Sequence, residues 1–172
     1  MRWLRSILQN IFFIIFLTGL QLAIRQLFPY PFNQLNLLLA SLLVLLLLEH
    51  PKFSPLCVLA SSIILEIFTA VPWGLPSFIL LVTCLFVAFV LQTVFIQRST
   101  LIAVFLALVA TFFYRFALNF TLFITSRFER EFFSLFFLSD WALEAIFTSL
   151  AVCAGYGIVS ALSPRLKPHY VF

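Results

Sequence analysis

Two ionisable residues stand where such groups are costly: Glu66 and Arg115, each inside a long apolar run. An ionisable side chain within a membrane span costs about 2.5–3.5 kcal/mol on insertion scales, so each needs a partner or a task. Opposite charges relieve one another's burial cost, and the sequence therefore predicts that Glu66 and Arg115 pair across helices. Asn119 lies four residues after Arg115, on the same helical face, and completes a polar interior cluster of Glu66, Arg115 and Asn119. Glu144 begins a further apolar run. The chemistry open to this cluster is helix-to-helix fastening, or a polar pocket or partner contact.

Other chemistry has little to work with. His50 and His169 fall outside the apolar runs and have no companions at metal-ligand spacing. Four glycines form no phosphate-binding loop, and no serine, histidine and acid fall into an arguable nucleophile arrangement. The interior carboxylates are too few for a proton relay. Cys57, Cys84 and Cys153 lie in apolar runs, odd in number and without CxxC spacing, and read as packing residues. No catalytic residue, cofactor or metal site is expected, and no nucleic-acid partner.

The elements that position the cluster follow from composition. Of 172 residues, 64% are hydrophobic and 9% charged, against roughly 25% charged in soluble domains. So short a chain cannot hide that much apolar surface from water, so its solvent is the lipid bilayer. One polytopic membrane domain over residues 1–172 is expected, all-α, with no separate soluble module. A span needs roughly 20 residues, and six candidates emerge: Ile7–Ile24, Phe32–Leu48, Phe53–Val71, Leu75–Ile96, Leu101–Ile124 and Trp141–Leu162. The second is the weakest. Its unbroken core is Leu37–Leu48, and Asn33, Gln34 and Asn36 crowd its start, so it reads as tilted, re-entrant or buried among the others. The first reads as a retained span, being too long for a signal peptide.

Pro29-Tyr30-Pro31, Glu49-His50-Pro51-Lys52, Pro72-Trp73-Gly74 and Gln97-Arg98-Ser99-Thr100 separate the spans, and such short links make successive helices antiparallel. With the N-terminus inside, Arg2, Arg5, Lys52, Arg98, Arg165 and Lys167 are cytoplasmic, and Arg25, Arg127 and Arg130 are outside. That balance places both termini in the cytoplasm. Between the last two spans, Phe128, Phe132, Leu135 and Phe136 recur at helical spacing. This predicts an amphipathic segment in the membrane interface, either an anchor or a docking surface. Small residues mark close helix contacts: Gly19 with Ala23, Ala151 with Gly155, and Gly157 with Ala161.

The third span and its following turn carry a pattern: Ser62, Glu66 four residues later, Thr69 three further on, then Pro72 and Gly74. In this the chain resembles the MreD family of rod shape-determining membrane proteins, with Glu66 and Thr69 where Asp and Ser are commoner, and Ser62 where glycine is usual. The Leu-rich second span ending in Glu49-His50-Pro51 is similar too, and the resemblance covers residues 35 to 120. It implies a non-enzymatic scaffold or regulator of cell-wall elongation in the bacterial inner membrane, with an MreC-like scaffold and wall-synthesis proteins as partners. It also implies a six-helix fold like the substrate-binding component of energy-coupling-factor transporters. Thr69, Pro72 and Gly74 would shape the turn. That fold supplies the alternative, a vitamin- or metal-capturing component of such a transporter.

Overall fold

The computed structural model describes residues 2–48, 55–68, 73–93, 100–125 and 135–162. Every regular element among them is helical: α1 (Arg2–Leu27), a 3-10 turn (Phe32–Gln34), α2 (Leu37–Leu48), α3 (Pro55–Glu66), α4 (Leu75–Thr93), α5 (Thr100–Thr125) and α6 (Leu135–Leu162). Four of them are long and apolar enough to cross a membrane, over Leu8–Leu27, Leu75–Thr93, Leu101–Ile124 and Ser139–Val159. Large apolar side chains point outward along them, among them Phe12, Ile15, Phe89, Phe105, Phe116 and Leu150. An apolar exterior on helices of this length identifies a multi-pass membrane protein.

The expected six spans become four long helices and two short ones. Each of α2 and α3 has 12 residues, a rise of about 18 Å against roughly 30 Å of hydrocarbon. The second expected span, Phe32–Leu48, is divided, with the 3-10 turn ahead of Asn36 and the helix proper after it. The third stops at Glu66 rather than Val71, where Ile67 and Phe68 close tighter turns onto Ile64 and Leu65. The sixth begins at Leu135 rather than Trp141, so Leu135 and Phe136 belong to α6 and not to a separate interfacial helix. Phe128, Phe132, Arg127 and Arg130 lie outside the described residues.

The weakest span of the sequence is the middle of the protein. α2 packs against α3, α4, α5 and α6, and Leu38, Leu39, Ala40, Leu42, Leu43 and Leu47 are all buried. A helix surrounded by helices has no polar face, which is why α2 is leucine-rich all round. α5 packs on α6 and α4, and α3 on α1 and α4, closing the cage. Phe86 stacks on Phe113 across α4 and α5, with ring centres 4.5 Å apart. Hydroxyls in the helices satisfy themselves on the preceding turn, as Thr83 does on Ile79 and Thr111 on Ala107. Thr18 and Ser61 also reach across the α1–α3 contact, to Ser61 and Ile14 carbonyls at 3.5 and 3.4 Å.

Candidate functional site

The C-terminal parts of α1 and α3 and the starts of α2 and α4 meet beside Arg115 and Glu144, which lie well inside α5 and α6. Helix starts leave backbone N–H groups without intrahelical partners. At the starts of α2 and α4 such donors are met by side chains from other helices.

α2 starts at a capping residue, Asn36. Its carbonyl accepts the amide of Ala40 at 3.0 Å and its Oδ1 accepts the amide of Leu39 at 3.2 Å. Gln21, wholly buried on α1, accepts the Leu37 amide at 2.7 Å and donates to the Leu35 carbonyl at 3.1 Å. Asn36 Nδ2 donates to Glu144 Oε1 at 3.1 Å. Arg115 Nε donates to Glu144 Oε2, and Arg115 Nη2 to Gln34 Oε1 at 3.4 Å. Glu144 is 2% exposed and Arg115 26%, so this is an interior ion pair whose carboxylate is held on both oxygens.

The expected pairing of Glu66 with Arg115 is therefore wrong: the partner of Arg115 is Glu144. Glu66 does something else. α4 begins after Gly74, which has no side chain to cap it. Its backbone is left-handed, with φ of 84°, a conformation that suits glycine. Glu66 reaches over from α3, accepting the Gly74 amide on Oε2 at 2.8 Å and the Ser77 amide on Oε1 at 2.7 Å. The Ser77 hydroxyl donates to Oε1 at 2.5 Å. A carboxylate at a helix N-terminus also meets the positive end of its dipole. Charge alone does not decide the partner: Glu66 meets backbone and hydroxyl donors at the start of α4, and Arg115 meets the Glu144 carboxylate.

Glu66 and Arg115 nonetheless line one cavity, of about 160 Å³, with Arg25, Asn36, Tyr114 and Glu144 among its walls. A second cavity of about 300 Å³ shares Arg25, Asn36, Arg115 and Glu144 and adds Asn33 and Gln34. Asn119 lines neither. It is half-buried, and its Nδ2 has no hydrogen-bond partner. Arg25, in the last turn of α1, makes no hydrogen bond or ion pair among the described residues.

The turn residues Thr69 and Pro72 lie outside the described residues, while Gly74 stands in the turn as the spacing required. The small residues divide. Gly155 faces α2, where a Cβ would stand 3.1 Å from Val44 Cγ2, and Ala151 packs against the core. Gly19, Gly157 and Ala161 face outward, and Ala23 is half-buried. The three cysteines are free.

Sequence reasoning missed Gln21, Ser77 and the role of Asn36. For Asn36 a signal existed, since an asparagine directly before an apolar helical run is a helix-start signature. Gln21 and Ser77 carry none, because their partners are set by tertiary packing.

At the rim, the Tyr30 hydroxyl donates to Asp140 Oδ1 at 3.2 Å. Loss of surrounding water, this hydrogen bond and the Asp140 charge all push Tyr30 above the ordinary tyrosine range. Whatever the contact contributes to folding is present below the unfolded pKa and lost as pH rises through the higher folded one. The tyrosinate absorbance of wild type minus Tyr30→Phe is expected to emerge above pH 10, and Asp140→Asn to move that midpoint down. An unmoved midpoint would contradict the assignment.

Comparisons with protein-family models, curated proteins and solved structures find no match.

Proposed function

We propose that the chain is a non-enzymatic membrane component of the cell-shape and peptidoglycan elongation machinery. It acts as a scaffold or regulator in the bacterial inner membrane, with both termini cytoplasmic. The fold we propose for its six helices is that of the substrate-binding component of energy-coupling-factor transporters. The observation that carries this reading is the use made of Glu66. The acid of the Ser62–Glu66–Gly74 pattern ties the end of α3 to the start of α4 through Gly74 and Ser77. This supports an architectural role for the very residues on which the resemblance to the MreD family rests. Glu144 is likewise engaged in fastening α2 and α5 to α6.

The two cavities favour a second reading, a substrate-capturing component of a transporter, because they bring polar groups of several helices together around an interior space. Detergent co-purification from a rod-shaped bacterial host, read by mass spectrometry, separates the two. The first reading expects an MreC-like scaffold or a wall synthase among the bound proteins. Recovery of an ATPase-containing transport module in their place would overturn it.

A further inference from the structure

All six helices contribute to the wall of the cavity of about 160 Å³. Most of its polar groups are committed to one another or to helix starts. Two hydroxyls are not. Ser62, on α3, lines the cavity, is only 4% exposed and makes no hydrogen bond among the described residues. Its neighbour Ser61 bonds back to the preceding turn, as do Thr83 and Thr111, but Ser62 does not. The hydroxyl of Tyr114, on α5, lines the same cavity and is likewise without a hydrogen bond among the described residues. Neither oxygen is sealed in as the Thr148 hydroxyl is, so each keeps accessible surface. Arg115 spends Nε on Glu144 and Nη2 on Gln34 and has Nη1 left. A buried polar group without a protein partner is satisfied by a bound molecule or by water.

Charge and size narrow the kind of molecule. Arg25 and Arg115 stand against Glu66 and Glu144 on this wall, so the formal charges cancel. An anion or a cation would bring an unanswered charge into an interior where charge is costly. The uncommitted groups are donors in excess, with two hydroxyl oxygens that can also accept. The rest of the wall is apolar, from Leu38, Leu65, Leu80 and Leu118. A cavity of about 150 Å³ holds benzene, so this one takes a molecule of roughly six to eight non-hydrogen atoms.

We propose that this cavity binds a small neutral amide with a short apolar body. Ser62, Tyr114 and Arg115 Nη1 supply donors for its carbonyl oxygen, a hydroxyl oxygen accepts its N–H, and the body lies against the leucines. The site is independent of whether the protein is a scaffold or a transporter component.

The test uses the full chain in dodecyl maltoside with 3,3,3-trifluoropropanamide as probe, read by ¹⁹F transverse relaxation against protein-free micelles. Wild type is expected to relax the probe faster than micelles do. 3-Methylbutanamide should displace it, and 3-methylbutanoate, of the same shape but charged, should not. Ser62→Ala and Tyr114→Phe are each expected to weaken binding several-fold, and the double variant at least tenfold. Neither hydroxyl has a partner in the protein, so the melting temperatures should stay at the wild-type value. Relaxation no faster than in micelles overturns the proposal, since the hydroxyls then meet only water. Equal displacement by the acid overturns it, because the site then does not select a neutral molecule. Binding that survives the double variant overturns it too, as does a lowered melting temperature, which would show that the hydroxyls serve the fold.

Discussion

Arg115→Met is expected to cost about 3 kcal/mol of stability, the low end of the roughly 3–5 kcal/mol lost when one partner of a buried ion pair is removed. The low end applies because the arginine is 26% exposed while Glu144 is 2% exposed. Without the guanidinium, Glu144 keeps only the Asn36 amide hydrogen, and its charge sits uncompensated among α2, α5 and α6. The decisive comparison is the double variant. Glu144→Gln retains an acceptor for Asn36 and carries no charge, so Arg115→Met with Glu144→Gln should recover more than half of the loss. Reversible unfolding in mixed dodecyl maltoside and sodium dodecyl sulfate measures all three variants. Strictly additive losses would mean that the two side chains do not act as a pair. Pairing Glu66→Arg with Arg115→Glu should rescue nothing, since Arg115 answers Glu144.

The second large effect falls on α4. Glu66→Ala removes the acceptor for two helix-start amides at once. A lost cap costs about 0.5–2 kcal/mol, and a buried donor left unmet about 1–3 kcal/mol, so a loss of about 2–3 kcal/mol is expected. Its signature is local. The Gly74 and Ser77 amides should exchange with deuterium at least tenfold faster, while amides in the middle of α5 keep their protection. Glu66→Gln keeps one acceptor oxygen and should fall between. Unchanged exchange at both amides would show that the carboxylate is not the cap. A uniform rise through α4 and α5 would point to global destabilisation instead.

The helix order was legible because each helix rests on a long-lived sequence signal, an apolar run closed by Pro, Gly or charge. The chemistry of the interior was legible by type and not by partner. Glu66 and Arg115 announced themselves by their cost, and both do line one cavity. Which partner each meets depends on packing that spacing does not encode. Glu144 lies 29 residues from Arg115, and Asn36 lies 108 from Glu144. By composition, the crowding of amides before Leu37 weakens the second span. In the fold the opposite holds: Asn36 stands there because a buried helix start must find its acceptors within the protein, and Gln34 accepts from Arg115.

The caging of α2 has a consequence for how the chain is made. Its first amide is fastened by Gln21, which is synthesised before it. The Asn36 side chain that caps it is steadied by Glu144, which leaves the ribosome 108 residues later. Between those moments the helix has neither its full complement of neighbours nor the length to cross the bilayer alone. The newly made α2 must wait, held at one end, until α6 arrives to complete its seat.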